Sequence, residues 1–526
     1  MKTYLSPVIL ALISGLLLVA AFPKIDQGWV AWFALVPLLL ALRKVGPKAG
    51  FWIGLACGLG YHLGVTYWTA YTMRIYGHLP VLPSVMVLVL LAGVLALFTA
   101  VFTMTVCRLG RNPWLFLLVT PAAWAVLEWM RSWIFTGFPW ALLGYSQYRF
   151  LWLVQVADLF GVYGLSALIV ACNAVLTLAL LRWVEQPWQT QAVSRPLVVR
   201  SFVLLAVALV AVLGYGLQRI KAMDRLVAEA PGIRLAVVQG NVDQSIKWDP
   251  TFQMLTAVKY RNLSLEAAKQ SVDLVIWPET ATPFYLYRDA LLSDMVVKGV
   301  QEADTHFIIG SPVVDTDGDA YRYFNSAFLI NPRGEAVDRY DKVHLVPFGE
   351  YVPLKRFLPF LGKMVEHVGD FESGQRGNAL QWDDRPIGML ICYEIIFPAL
   401  AREMALSGVQ LLVNITNDAW FGRTGAPYQH FSMAVLRSVE NRRFLARAAN
   451  TGISGFIDPS GRILAATALY EDATLVGEVK LLDTLARYTR WGDWPLIGAC
   501  LGLLAIAGWA GTRDSRPKRQ GARLNI

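Results

Sequence analysis

The sequence predicts two joined architectures: a membrane-embedded α-helical bundle of about eight transmembrane helices, and an α/β domain with a central sheet. Three observations carry that expectation. The chain of 526 residues is 56% hydrophobic and only 16% charged, too apolar for an ordinary water-soluble protein of this size. Its charge is unevenly placed: residues 1–220 hold fourteen Lys and Arg against four Asp and Glu, whereas residues 221–512 hold twenty-eight against thirty-three. From residue 233 onward, long apolar stretches give way to short β-branched runs separated by polar stretches of helical spacing. The expected division is a helical domain over 1–220, an α/β domain over 221–490, and a last helix with a basic tail over 491–526.

A bilayer span needs roughly 20 mostly apolar residues. Seven such stretches lie at about 5–22, 28–43, 50–72, 80–106, 113–130, 155–181 and 199–218, and an eighth at about 494–511. With the N-terminus in the cytoplasm, Lys2, Arg43, Lys44, Lys48, Arg108, Arg111, Arg182, Arg195, Arg200 and the basic tail fall inside, against Lys24, Arg74, Arg131 and Arg149 in the opposite loops. The positive-inside rule then delivers residues 221–493 to the outer face, with Arg219 and Lys221 running against it. The first segment has a second reading, because Lys2, the apolar run and Val19-Ala20-Ala21 before Phe22 fit a cleaved signal peptide.

Residues 131–150, RSWIFTGFPWALLGYSQYRF, are aromatic-rich and broken by Gly and Pro, which fits a re-entrant or interfacial segment. Glu128 and Asp158 lie in or beside apolar spans, where an ionisable group is either functional or the packing partner of an Arg.

The cysteines at 57, 107, 172, 392 and 500 form no CxxC pair and no metal-ligand spacing, and the six histidines are scattered. Neither a disulfide framework nor a metal or other cofactor is expected. The net charge of +9 sits largely in short loops and the tail, so it fits membrane orientation and no nucleic-acid partner is expected.

In the second region IRLAVVQG, VDLVIWPE, HFIIGSPVV, NSAFLINP, RPIGMLICYE and VQLLVNITN read as buried strands, and 251–270, 286–303, 397–407 and 427–448 as helices. Alternation of this kind makes an α/β domain. Three polar residues stand at the carboxyl ends of strands, where active sites of open α/β sheets gather: Glu279 after LVIWP, Lys342 in YDKVHLVPFGEY, and Cys392 in GMLICYE. Singly, each has an ordinary structural reading as a cap, a solvated cation or a core residue.

Together, WPET, DKVHLVPFGEY and CYEIIFP resemble the Glu-Lys-Cys signatures of the nitrilase (carbon-nitrogen hydrolase) superfamily over about residues 230–485. With seven preceding spans, one following span and the GFPW loop, the whole chain resembles one branch of it, the apolipoprotein N-acyltransferases. The resemblance implies a nitrilase-like αββα sandwich on the periplasmic side of a bacterial inner membrane. It also implies a glycerophospholipid as acyl donor and the α-amino group of a diacylglyceryl-Cys apolipoprotein as acceptor.

The groups themselves support a ping-pong transfer through a Cys392 thioester. Glu279 is the expected base, with burial behind Trp277 and Pro278 expected to raise its pKa. Lys342 is expected to favour the thiolate and, with the backbone N–H of Tyr393, to hold an oxyanion. By resemblance, Glu350 and Glu394 orient the lysine and line the site, and Trp248 and Trp420 shape the lipid pocket. Asn417 and Asp418 read as turn chemistry. Phe357, Leu358, Phe360, Leu361 and Met364, edged by Lys355, Arg356 and Lys363, fit either a lid dipping into headgroups or a loop packed on the domain.

Two other function classes use the same residues differently. A membrane-tethered amidase or nitrilase would keep the three residues with water as second nucleophile. A transporter would not depend on Cys392 and would carry internal repeats, which the seven spans do not show.

Overall fold

The computed structural model describes residues 6–318, 320–351 and 370–514, so the segment Phe357–Met364 lies outside the described residues. The helical region comprises α1 (Pro7–Ala20), α2 (Val36–Ala41), α3 (Pro47–Thr66), α4 (Trp68–Ile75), α5 (Val81–Leu109), α6 (Pro113–Arg131), α7 (Leu151–Val154), α8 (Ala157–Trp183) and α9 (Arg195–Glu229). Proline opens α1, α3 and α6, where its missing N–H has no intrahelical partner in any case, and the Asn112 side chain caps α6 by accepting from Leu115 N at 2.9 Å.

Four of these helices, α5, α6, α8 and α9, are long and apolar enough to cross a membrane, and three shorter apolar helices cover Pro7–Ala20, Gly28–Ala41 and Trp494–Ala510. The stretch expected as one span over 50–72 divides at Tyr67 into α3 and α4. Val203, Leu204, Val207 and Val210 of α9 are exposed, an apolar face suited to lipid.

The α/β domain adds β1 (Gly232–Gln239), α10 (Pro250–Ala268), β2 (Leu274–Ile276), α11 (Ala290–Ala303), β3 (His306–Asp317), β4 (Ala320–Ile330) and β5 (Ala336–Asp341). Its second half holds β6 (Leu380–Trp382), β7 (Arg385–Ile391), α12 (Pro398–Leu406), β8 (Leu411–Thr416), α13 (Ala426–Asn441), β9 (Phe444–Ala449), β10 (Gly455–Ile457), β11 (Ile463–Ala466) and β12 (Ala473–Lys480), before α14 (Arg487–Trp491) and α15 (Trp494–Asp514).

Two six-stranded sheets run in the orders β12-β1-β2-β3-β4-β5 and β11-β10-β9-β8-β7-β6. Each has three parallel strands at its centre and antiparallel strands outside them. Strand periodicity explains the layers: Leu235 and Val237 join the core shared with Met389, Ile391, Val413 and Ile415, whereas Ala236, Val238, Val275 and Trp277 pack with Ala257, Tyr260, Val296 and Val300 of α10 and α11. The result is an αββα sandwich.

Residues 427–448, expected as one helix, divide. Arg442 adopts φ +51°, ends α13 and lets Phe444–Ala449 enter the sheet beside β8. The segment 131–150 also divides. Trp133 and Phe135 are exposed, but Trp140 to Tyr148 are buried between the helices and the α/β domain. Glu128 Oε1 accepts Leu143 N at 2.7 Å, and Trp140 Nε1 donates to Gln429 Oε1 at 2.6 Å.

Asp158 is buried at a junction of three elements. It accepts from Tyr215 Oη and Arg219 Nε of α9, each at 2.7 Å, and pairs with buried Arg442 of the α/β domain at 2.7 Å. Asp158 is thus the packing partner of two arginines, and Arg219, which ran against the charge rule, is a paired cation, whereas Glu128 Oε2 is buried without a hydrogen-bond partner among the described residues.

Candidate active site

Three strands of the sandwich end at one place. Strand β2 runs into Trp277-Pro278-Glu279, β5 into Lys342, and β7 into Cys392. Strand β4 is antiparallel to both β3 and β5, and β3 is parallel to β2, so β2 and β5 present their carboxyl ends at the same sheet edge. The sandwich then brings Cys392 from the second sheet opposite them.

Lys342 Nζ, 1% exposed, lies 3.3 Å from Glu279 Oε1 and 3.0 Å from Glu350 Oε1. Asn325 Nδ2 of β4 donates to the same two oxygens, at 2.8 Å each, and Asn325 O accepts the Lys342 N–H at 2.8 Å. The second Glu279 oxygen accepts Asn417 N at 2.9 Å, and Glu350 Oε2 accepts Val346 N at 2.8 Å. The Cys392 thiol lies near enough to the Glu279 carboxylate and to the Lys342 ammonium to feel both charges.

Cys392 follows β7 at φ +52°, a left-handed conformation uncommon outside glycine, and opens the 3-10 turn Cys392–Ile396. Glu394 holds that turn to the lysine strand. One oxygen accepts Ile391 N at 2.6 Å, and the other accepts Val343 N at 2.6 Å and His344 N at 3.0 Å. Behind the cysteine, His430 Nε2 lies 3.2 Å from the Cys392 carbonyl oxygen, with Asp418 3.0 Å from its Nδ1 and Arg447 2.8 Å from Asp418.

Electrostatics corrects one expectation. Burial opposes ionisation of Glu279, but Lys342, Asn325, the Cys392 thiol and Lys247 outweigh it and hold the carboxyl below its ordinary value. Burial likewise disfavours the Lys342 ammonium, and Glu350 and Glu279 outweigh that, holding it above the usual lysine value. Burial, reinforced by Glu279, pushes the Cys392 thiol up against the pull of Lys342. The resting pair is thus a carboxylate facing a thiol.

Among the supporting residues, Glu350 touches Lys342, and Glu394 fixes backbone and does not touch it. The Tyr393 hydroxyl donates to Gly137 O at 3.3 Å, which ties the turn to the segment between α6 and α7. Trp248 is half-buried; Trp420 is half-buried against Tyr76, the residue that follows α4, with ring centroids 5.2 Å apart.

Asn417 and Asp418 do more than make a turn. The first binds Glu279 through its amide, and the second sits in a buried ion pair. Asn325, His430, Arg447 and Lys247 were not singled out in the sequence. Lys247 is the residue directly before Trp248.

Gly310 of β3 sets the height of Glu279, because a Cβ there would lie 2.3 Å from Pro278 O and 2.8 Å from Glu279 Cα. Gly310→Ala is expected to displace the carboxylate and lower kcat by about 10²-fold, with bilayer binding unchanged in a flotation assay. Wild-type kcat in that variant would show the close approach to be irrelevant.

Residues 14–175 match the apolipoprotein N-acyltransferase N-terminal domain family, and residues 234–487 match the carbon-nitrogen hydrolase family. The apolipoprotein N-acyltransferase of Geobacter metallireducens is 44% identical over 95% of this chain and 95% of its own length. Those of Methylococcus capsulatus and Pseudomonas putida are each 34% identical, over 98% of both chains and over 95% and 96% respectively. With both parts of the chain matched and full-length relatives aligned from end to end, the chain belongs to the apolipoprotein N-acyltransferase family.

Proposed function

We propose that this acyltransferase moves a fatty-acyl chain from a glycerophospholipid, through a thioester on Cys392, to the α-amino group of the diacylglyceryl-Cys N-terminus of an apolipoprotein. The observation that carries the reading is the buried Cys392–Glu279–Lys342 arrangement, attached to a helical region with an exposed apolar surface.

In the first half-reaction the Cys392 sulfur attacks the ester carbonyl carbon and its proton passes to Glu279. The oxyanion is stabilised by Lys342 and the Tyr393 N–H. The C–O bond breaks, Glu279 returns the proton to the leaving alkoxide, and a lysolipid departs. In the second, the neutral amine attacks the thioester and Glu279 takes a proton from its nitrogen. The C–S bond breaks and the proton returns to sulfur, leaving an amide and free Cys392.

The same reading divides the chain into a seven-helix membrane domain over 1–220, a periplasmic catalytic domain over 221–490, and an eighth span with a cytoplasmic tail over 491–526, in a bacterial inner membrane. Trp248 and Trp420 flank the lipid path in this scheme.

The test is transfer in detergent–phospholipid micelles to a diacylglyceryl-Cys peptide with a free or an N-acetylated terminus. N-acylation of the free peptide with equimolar lysolipid supports the reading. Release of fatty acid without amide, whichever peptide is present, would show a hydrolase instead.

A further inference from the structure

Lys247 has no task in the scheme above, yet it is placed with care. It lies between β1 and α10, is 2% exposed, and its Nζ donates to the Glu279 backbone oxygen at 3.4 Å. Its loop is fastened to the site at two further points. Val242 exchanges hydrogen bonds with the Asn450 side chain at 2.9 and 2.8 Å, and Gln244 Oε1 accepts Asn417 Nδ2 at 2.6 Å. The same Asn417 gives its backbone N–H to Glu279 at 2.9 Å, so one network sets both the ammonium and the carboxylate.

Charge balance gives the placement a reason. Glu279 and Glu350 both contact the Lys342 ammonium, which leaves that buried trio one negative charge in excess. An uncompensated charge in such a site is costly. The other charged groups nearby have their own partners: Asp418 is held by Arg447 and His430, and Glu394 by Tyr340 and the amides of Ile391, Val343 and His344. Burial draws Lys247 down to about 8, while Glu279 and Cys392 draw it back up.

We propose that Lys247 is a positioning residue, the second ammonium that balances the Glu279–Lys342–Glu350 trio and holds the Glu279 carboxylate in its proton-receiving place beside Cys392. The inference rests on those residues being the reacting constellation. With Lys247 removed, negative charge on Cys392 faces Glu279 and Asp418 with Lys342 as the remaining opposing ammonium, so the thiol ionises at higher pH.

The measurement is the rate of Cys392 alkylation by iodoacetamide at about pH 7, where Lys247 is charged, read by peptide mass mapping of the full-length detergent-solubilised protein. Wild type is compared with Lys247→Met and Lys247→Arg. The Met variant is expected to be alkylated about tenfold more slowly, the effect of a rise of about one unit in the thiol pKa. It is also expected to lower kcat for transfer with KM for phospholipid unchanged, and the Arg variant restores the alkylation rate. Should the Met variant fail to fold, Lys247→Gln gives the same reading.

An unchanged alkylation rate at about pH 7 in a folded Met or Gln variant overturns the inference while leaving the constellation intact. A wild-type Cys392 that resists alkylation, together with transfer that survives Cys392→Ala, overturns the constellation and the role of Lys247 with it.

Discussion

Replacing Cys392 by alanine is expected to abolish acyl transfer, with a loss on the order of 10⁴-fold or more. The argument is chemical and positional. In the proposed scheme only the Cys392 sulfur forms the covalent bond to the acyl chain. The other free cysteines, at 57, 107, 172 and 500, lie on α3, α5, α8 and α15, and the catalytic domain brings none of them to Glu279. Alanine tolerates φ +52° no worse than cysteine, so thermal unfolding should stay close to wild type, which separates lost chemistry from lost structure. Cys392→Ser is expected to be nearly as inactive, because a hydroxyl is a weaker nucleophile beside the same carboxylate.

The second large effect is expected from Lys342→Met. Two consequences follow from one geometry. The oxyanion loses its cation, which lowers kcat by about 10³-fold. Glu279 and Glu350 are left facing each other across Asn325 Nδ2, which donates to both at 2.8 Å, without the ammonium that joined them. Removing one partner of a buried ion pair costs about 3–5 kcal/mol of stability.

The sign of the pH dependence is fixed by the same groups. In the wild type the Glu279 carboxyl sits below its ordinary value, so its contribution to stability is present above the unfolded pKa and is lost as pH falls through the folded one. In the variant the neighbouring carboxylate and burial raise the folded pKa, so protonation relieves the penalty. The stability gap between wild type and Lys342→Met should therefore narrow between pH 7 and about pH 4. Adding Glu350→Gln should recover stability at pH 7 without recovering activity. A gap independent of pH would contradict the arrangement.

Glu279 and Cys392 were legible because each stands just after a short apolar run, and strand ends are where an α/β sheet gathers polar groups, whereas Lys342 was legible only from its DKVHLVPFGEY motif. The supporting shell was harder to see. Lys247 and Asn325 look like ordinary polar residues in sequence, and only the convergence of β1, β2, β4 and β5 gives them a common target. Ala336–Asp341 was missed as a strand because its AVDRYD pattern is polar at an exposed sheet edge.

The end of α13 was missed because Arg442, rather than glycine, takes the left-handed position, and Phe444–Ala449 holds residues equally at home in a helix. The pKa expectation for Glu279 failed for a related reason. Burial could be foreseen from Trp277 and Pro278, but the two lysines and the asparagine that outweigh it come from elsewhere in the chain.

The most direct test of the account is intact-mass spectrometry of the solubilised protein after incubation with phospholipid and no acceptor, for wild type and Cys392→Ala. The account predicts one added acyl chain on the wild type alone, mapped to Cys392 and discharged as an amide by a diacylglyceryl-Cys peptide. An adduct that persists in Cys392→Ala, or a wild type that transfers acyl chains without carrying one, would contradict it.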